Sequence, residues 1–210
     1  MLNDFIDGLI ATVQAIDPVW QVLLAGLAIM LETSLFIGLL VPGDAVLLLA
    51  ATGVNSWGSW LALVVAGIVG ALIGESIGYA IGRWAGEPVK RSWVGRVIGV
   101  ARWEQAERYL QRRGMLAVFV SRYLPVLHSV VPVTAGMAKM PYRRFMAATV
   151  PACTLWALVY VTVGALATAS YQALGKHLHL AGFVFAAIVV VFALVSWWVK
   201  RRLQQRIEHD

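Results

Sequence analysis

Two carboxylates, Glu32 and Asp44, stand twelve residues apart in an otherwise apolar run, and Pro42-Gly43 interrupts that run directly before Asp44. A second apolar run, 115 to 137, carries Arg122 and His128, with Pro125 and Pro132 among them. Ionisable groups inside apolar segments are functional candidates by default, because holding them away from water is costly. Glu32 and Asp44 are candidates to take up and release a proton. Glu75 is a third, divided evenly between proton coupling and structural pairing. An arginine keeps its charge when buried, and its planar fork matches a phosphate or a carboxylate. Histidine changes charge near physiological pH. Arg122 and His128 are therefore candidates to hold an anionic group, with Ser121, Ser129 and Thr134 as hydrogen-bonding neighbours. A simpler reading stands beside each: Asp44 caps the helix it opens, and Arg122 pairs with Glu32 or Asp44 to tie the two runs together.

The elements that must position these residues are membrane elements. Apolar residues make up 60% of the 210-residue chain and charged residues 13%, whereas soluble domains hold about 45–50% and about 25%. The expected fold is an all-α polytopic membrane protein in a single domain, 1 to 210. Met1-Leu2-Asn3-Asp4 has no basic character, so the spans themselves are expected to direct insertion. The net charge is +6; the bases lie between apolar spans, which points to anionic lipid and the cytoplasmic leaflet rather than to nucleic acid. With a single cysteine, Cys153, no intramolecular disulfide is available.

Residues 1 to 17 have helical apolar spacing with a polar face, an interfacial helix. Residues 18 to 56 are expected to form a first re-entrant hairpin. Its second arm, 45 to 54, is only ten residues long, about 15 Å of helix against a roughly 30 Å core. A full span follows over 57 to 82, where Gly70, Gly74, Gly78 and Gly82 share one face. That face suits close packing inside the chain or in a homo-oligomer equally well. The stretch 83 to 114 is basic and rich in tryptophan and tyrosine, which reads as a cytoplasmic interfacial segment. Residues 115 to 138 have basic flanks on both sides and are expected to form a second, oppositely oriented re-entrant hairpin. Spans at 145 to 169 and 181 to 199 and a cytoplasmic tail, 200 to 210, complete about three full transmembrane helices. The hairpin breaks fall at Pro42, Gly43, Pro125 and Pro132. Inverted broken helices meeting near the midplane are a transporter design.

Other chemistries lack their residues. No Ser-His-Asp order, phosphate loop or zinc-protease motif is present, His177 and His179 form only a weak H-x-H pair, and neither a metal nor a cofactor is expected. The protein is not expected to be an enzyme.

At these residues the chain resembles the DedA family of bacterial membrane proteins, also described as SNARE-associated or VTT-domain proteins. Three stretches carry the resemblance: Glu32 and Asp44 with Pro42-Gly43 between them; Gly74-Glu75-x-x-Gly78-Tyr79-x-Ile81-Gly82-Arg83-x-x-Gly86; and Phe119-x-x-Arg122-Tyr123-x-Pro125 followed by Ala135-Gly136-x-x-x-Met140-x-x-x-x-Phe145. Together they span about residues 20 to 165. The resemblance implies two opposed re-entrant hairpins, a bacterial cytoplasmic (inner) membrane location and a lipid-linked substrate. Family members are associated with returning undecaprenyl phosphate to the cytoplasmic leaflet, others with phospholipid translocation, and proton motive force is implicated. By position, Glu32 and Asp44 match the family's essential acids and Arg122 its first essential arginine. The second arginine is His128 here, a departure that bears on substrate identity or pH dependence.

The expected function is proton-coupled movement of a polyprenyl phosphate, of the undecaprenyl or decaprenyl type, between leaflets. Arg122 and His128 would hold the phosphate, and Glu32 and Asp44 would exchange the proton. The alternatives are a translocase for a phosphatidylethanolamine-type phospholipid, a proton-coupled ion antiporter, and a non-transporting membrane scaffold.

Overall fold

The structure is a computed structural model that describes residues 8, 11–13, 15–34, 43–92, 95–96, 99–124, 127–174, 190–191 and 194. Most of the interfacial helix 1 to 17, the breaks at Pro42 and Pro125, His177 and His179, most of the span at 181 to 199 and the tail 200 to 210 lie outside the described residues. Among the described residues seven α-helices occur in order: α1 (Pro18–Ser34), α2 (Gly43–Ala51), α3 (Trp57–Arg91), α4 (Val100–Arg113), α5 (Met115–Ser121), α6 (Leu127–Met137) and α7 (Tyr142–Leu174). The described residues thus form an all-helical protein.

Local sequence sets the helix ends. Pro18 opens α1, where its missing N–H is no loss, and the Asp17 carboxylate accepts from the Val19 N–H at 2.8 Å. Helix α3 begins with a reciprocal capping box between Ser56 and Ser59, which satisfies two otherwise orphaned donors. Helix α6 ends in a Schellman motif, with the Met140 N–H on the Ala135 carbonyl and the Lys139 N–H on the Gly136 carbonyl, both at 3.0 Å.

Among the described residues two helices are long and apolar enough to cross a membrane: α3 over Trp57–Gly86, 30 residues, and α7 over Tyr142–Ala169, 28 residues. At 1.5 Å per residue each reaches about 40–45 Å. Leu61, Val65, Val69, Ile73 and Ile77 recur every fourth residue on the outside of α3 and are exposed. Trp57 and Trp84 are exposed at 74% and 85% at the two ends of that stripe, the placement that membrane–water interfaces favour for tryptophan. Helix α3 does not stop where the basic residues begin at 83. It bends at Ala85 (φ −133°, ψ 24°) ahead of Pro88 and runs on to Arg91, because the proline removes one ladder bond and crowds the carbonyl of the preceding turn.

The glycine face of α3 is occupied inside the chain. A Cβ on Gly70 would collide with the Gly26 carbonyl of α1, and one on Gly82 with the Val133 carbonyl of α6. Backbone-to-backbone approach of this kind excludes any side chain. Helix α3 therefore packs α1 on one stretch and α6 on the next, while α7 packs α2, α3 and α5. Pro132 is not a break: α6 continues through it from Leu127 to Met137. Its buried ring lies against the position of Gly78, so packing on α3 compensates the lost ladder bond.

Two apolar clusters result. One gathers Ile29, Leu47, Val64 and Trp156 between α1, α2, α3 and α7. The other gathers Tyr79, Trp103, Leu124, Val131 and Phe145 between α3, α4, α6 and α7. Helix α4 presents Trp103, Ala106 and Leu110 to the second cluster and leaves Arg102, Glu104, Arg108 and Arg112 exposed. That is an amphipathic helix with one face on the bundle.

Candidate functional site: a buried arginine among three carboxylates

The last turn of α1, the first turn of α2 and the residue after α5 bring their charged side chains together against α3 and α7. Glu32, in the last turn of α1, is 5% exposed, and its Oε2 accepts from the Asp44 N–H at 2.9 Å. Gly43 makes this contact possible, because a Cβ there would stand 2.5 Å from Glu32 Oε2 and 2.9 Å from the Ala28 carbonyl. Glu32 thus takes one of the amides at the start of α2, where negative charge is favoured. Asp44 keeps its own carboxylate for the site; its side chain is 32% exposed.

Arg122 follows the last turn of α5, with its side chain 2% exposed. Its Nη2 lies 3.8 Å from Asp44 Oδ1 and its Nη1 4.0 Å from Glu75 Oε1. These distances exceed the roughly 2.7–2.9 Å of a charge-assisted hydrogen bond. The carboxylates supply a field without consuming the donors, and Nε and Nη2 make no hydrogen bond among the described residues. The guanidinium carbon sits over the Trp156 ring, 3.9 Å from its centroid, within the range of a cation–π contact.

Helix α7 supplies the remaining wall through Thr149, Cys153, Trp156 and Tyr160. The Glu75 carboxylate accepts from the Cys153 thiol at 3.7 Å, and the Thr149 hydroxyl, one turn earlier on α7, donates to the Phe145 carbonyl at 3.0 Å. Tyr160 is hydrogen-bonded to Asp44 and packs against Trp156 with ring centroids 5.1 Å apart. The Tyr123 hydroxyl donates to the Ala152 carbonyl at 3.2 Å, fixing the residue after Arg122 on α7.

His128 lies in the first turn of α6. Its Nδ1 is 3.2 Å from the Leu124 carbonyl, and a carbonyl only accepts, so Nδ1 carries the hydrogen. While the ring is neutral, Nε2 bears a lone pair and becomes a donor only on protonation. Ser121 is buried with its hydroxyl donating to Val118 at 2.7 Å, and Ser129 is buried in α6.

The motif arrangement around these residues matches the model of the VTT domain over residues 41–166. The chain belongs to the VTT-domain, or DedA, family. Its relatives include the undecaprenyl phosphate transporter A of Bacillus subtilis, 28% identical over 50% of this chain and 54% of the relative. The Escherichia coli proteins DedA and inner membrane protein YabI are 27% and 28% identical over 78% and 73% of this chain, and 77% and 61% of their own lengths. No solved structure matches the chain. The match to the Bacillus transporter spans about half of that protein, so a substrate does not carry over from its name.

Within this VTT-domain protein the structure brings Glu32, Asp44, Glu75 and Arg122 together. The residues that reading the sequence overlooked are those of α7. Thr149, Cys153, Trp156 and Tyr160 are spaced by four, three and four residues, which is one face of a helix. That spacing was available as a signal, but tryptophan and tyrosine in a membrane chain are ordinarily assigned to interfaces.

Proposed function

We propose that this DedA-family protein carries a polyprenyl phosphate, of the undecaprenyl or decaprenyl type, between the leaflets of a bacterial cytoplasmic membrane and couples the movement to protons. The observation that supports this most is Arg122: a buried guanidinium, seated on Trp156, with Nε and Nη2 unbonded. Unsatisfied buried donors are costly, and a phosphate oxygen is the group whose geometry answers them. His128 adds a second donor when protonated. Ser121 and Ser129, both buried near these residues in sequence, are the hydroxyls this reading assigns to the head group.

In this reading α1–α2 and α5–α6 are the two opposed re-entrant hairpins, with the basic segments and the C-terminus on the cytoplasmic side. The lipid tail stays in the bilayer while the head passes between the hairpins. Glu32, Asp44 and Glu75 outnumber the one guanidinium. A phosphate entering beside three carboxylates meets repulsion unless they take up protons, so proton uptake favours loading and proton release favours departure. The protein acts as a carrier, not an enzyme.

The test is translocation by the purified protein in liposomes. Polyprenyl phosphate should move, phosphatidylethanolamine should move far less, and Arg122→Ala should abolish movement. A well-folded protein that moves neither lipid refutes the reading. The excess of carboxylates also favours a second reading, proton-coupled exchange of a small cation, which predicts cation flux in liposomes that lack any lipid phosphate.

A further inference from the structure

A cavity of about 290 Å³ lies where α4 meets the turn between α6 and α7, and Arg122 is not among its lining residues. Its lining includes Glu107 and Gln111 of α4, Thr134 of α6, Lys139 and Met140 of the turn, and Arg144 of α7. Lys139 and Arg144 are exposed, and neither has an ion-pair partner among the described residues.

Lys139 stands at an unusual place. It occupies the residue after the α6 cap in the Schellman motif, with φ 55°. Glycine is favoured there, because a Cβ in the left-handed region crowds the backbone. Observed backbone strain of this kind clusters at sites of function. The turn is also held rigid. The Tyr79 hydroxyl donates to the Met140 carbonyl, and Tyr79 packs against Tyr142 and Phe145 with centroids 5.3 and 5.0 Å apart. Lys139 therefore flanks the cavity from a braced turn and Arg144 from the first turn of α7.

We propose that this cavity is a second phosphate site, which binds the phosphomonoester head of a lipid through Lys139 and Arg144. Two unpaired cations match the two charges of a phosphomonoester, and the guanidinium of Arg144 offers a bidentate face. Gln111 adds a neutral side-chain donor, whereas the buried Thr134 hydroxyl is committed to the Val130 carbonyl at 2.9 Å. Glu107 is the one carboxylate among the lining residues, and it weakens the site for any anion. The site does not depend on the transport reading, since its residues are separate from Arg122 and the three buried acids.

The experiment is native mass spectrometry of the full chain in detergent, titrated with dioleoyl phosphatidic acid as the monoester and dioleoyl phosphatidylglycerol as the diester. The double variant Lys139→Asn/Arg144→Gln uses asparagine because that residue tolerates the left-handed backbone. Phosphatidic acid should bind the wild type more tightly than phosphatidylglycerol, and the double variant should lose that binding by about tenfold, the loss of charge-assisted hydrogen bonds. The double variant retains Arg122, so a lipid held at the buried arginine stays as its own binding step in the spectra, and only the step at Lys139 and Arg144 is lost. Glu107→Gln should tighten binding, a readout independent of whether the double variant folds. Equal binding of the two lipids by the wild type, or binding by a folded double variant within about twofold of wild type, overturns the proposal.

Discussion

The guanidinium carbon of Arg122 lies 3.9 Å from the ring centroid of Trp156, while the facing carboxylates of Asp44 and Glu75 stand back at 3.8 and 4.0 Å. The ring supports the cation without offering a hydrogen-bond acceptor in its plane. An aromatic seat leaves the edge donors available, whereas a bidentate carboxylate would consume them. The pairing thus orients Arg122 and preserves its capacity to bind an oxyanion.

Replacing Trp156 with alanine should therefore weaken head-group binding. A cation–π contact contributes about 0.5–2 kcal/mol, or about two- to thirtyfold in affinity. Trp156→Phe should retain part of it. Titration of purified variants with a short-chain prenyl phosphate checks both, and equal weakening by alanine and phenylalanine would point to packing instead.

Glu75→Gln keeps the shape and the contact to Cys153 but removes one charge 4.0 Å from Arg122. If Glu75 must be protonated for the phosphate to load, binding by the wild type falls as pH rises and binding by the glutamine variant falls less. The pH profile of affinity for both proteins reads this directly. An unchanged profile assigns Glu75 to structure.

His128→Arg restores a permanent donor at a position where neutral histidine presents its Nδ1–H to Leu124. Protonation of the ring is what supplies a donor from Nε2. Transport by the wild type should thus decline toward alkaline pH, and the arginine variant should decline less. Proteoliposome flux across a pH series measures it.

Gly43→Ala places a methyl 2.5 Å from Glu32 Oε2 and 2.9 Å from the Ala28 carbonyl. Overpacking of this kind costs about 1–3 kcal/mol, and here it also separates Glu32 from the Asp44 amide. A lower unfolding midpoint in detergent together with lost transport is expected. Normal stability with normal transport would mean that the Glu32–Asp44 contact is dispensable.

The polar centre was legible before the fold because charge in an apolar chain is conspicuous. Glu32, Asp44 and Arg122 stand out by type alone, and the Pro42-Gly43 pair marks a helix end. The partner of Glu75 was not legible, since one glutamate in a span does not reveal which helix faces it. The span expected over 57 to 82 stops at the onset of the basic stretch, whereas α3 runs on to Arg91. Gly82 and Gly86 pack against Val133 and Met137 of α6, and that tertiary contact holds the helix together past its local stop signals. Pro132 was read as a break for the same reason: proline signals a stop locally, and only the contact with α3 shows that the helix goes through. The role of Trp156 was hidden because a core tryptophan and an interfacial one have the same sequence signature.

The most direct measurement is the dipolar coupling between the ³¹P of a bound polyprenyl phosphate and the ¹⁵N-labelled arginine side chains, recorded by solid-state NMR in lipid bilayers. The account predicts a coupling of hydrogen-bond range in the wild type that disappears in Arg122→Lys, in which the ¹⁵N guanidinium is gone while the positive charge remains. A coupling that survives that substitution would place the phosphate on another arginine and contradict the account at its centre.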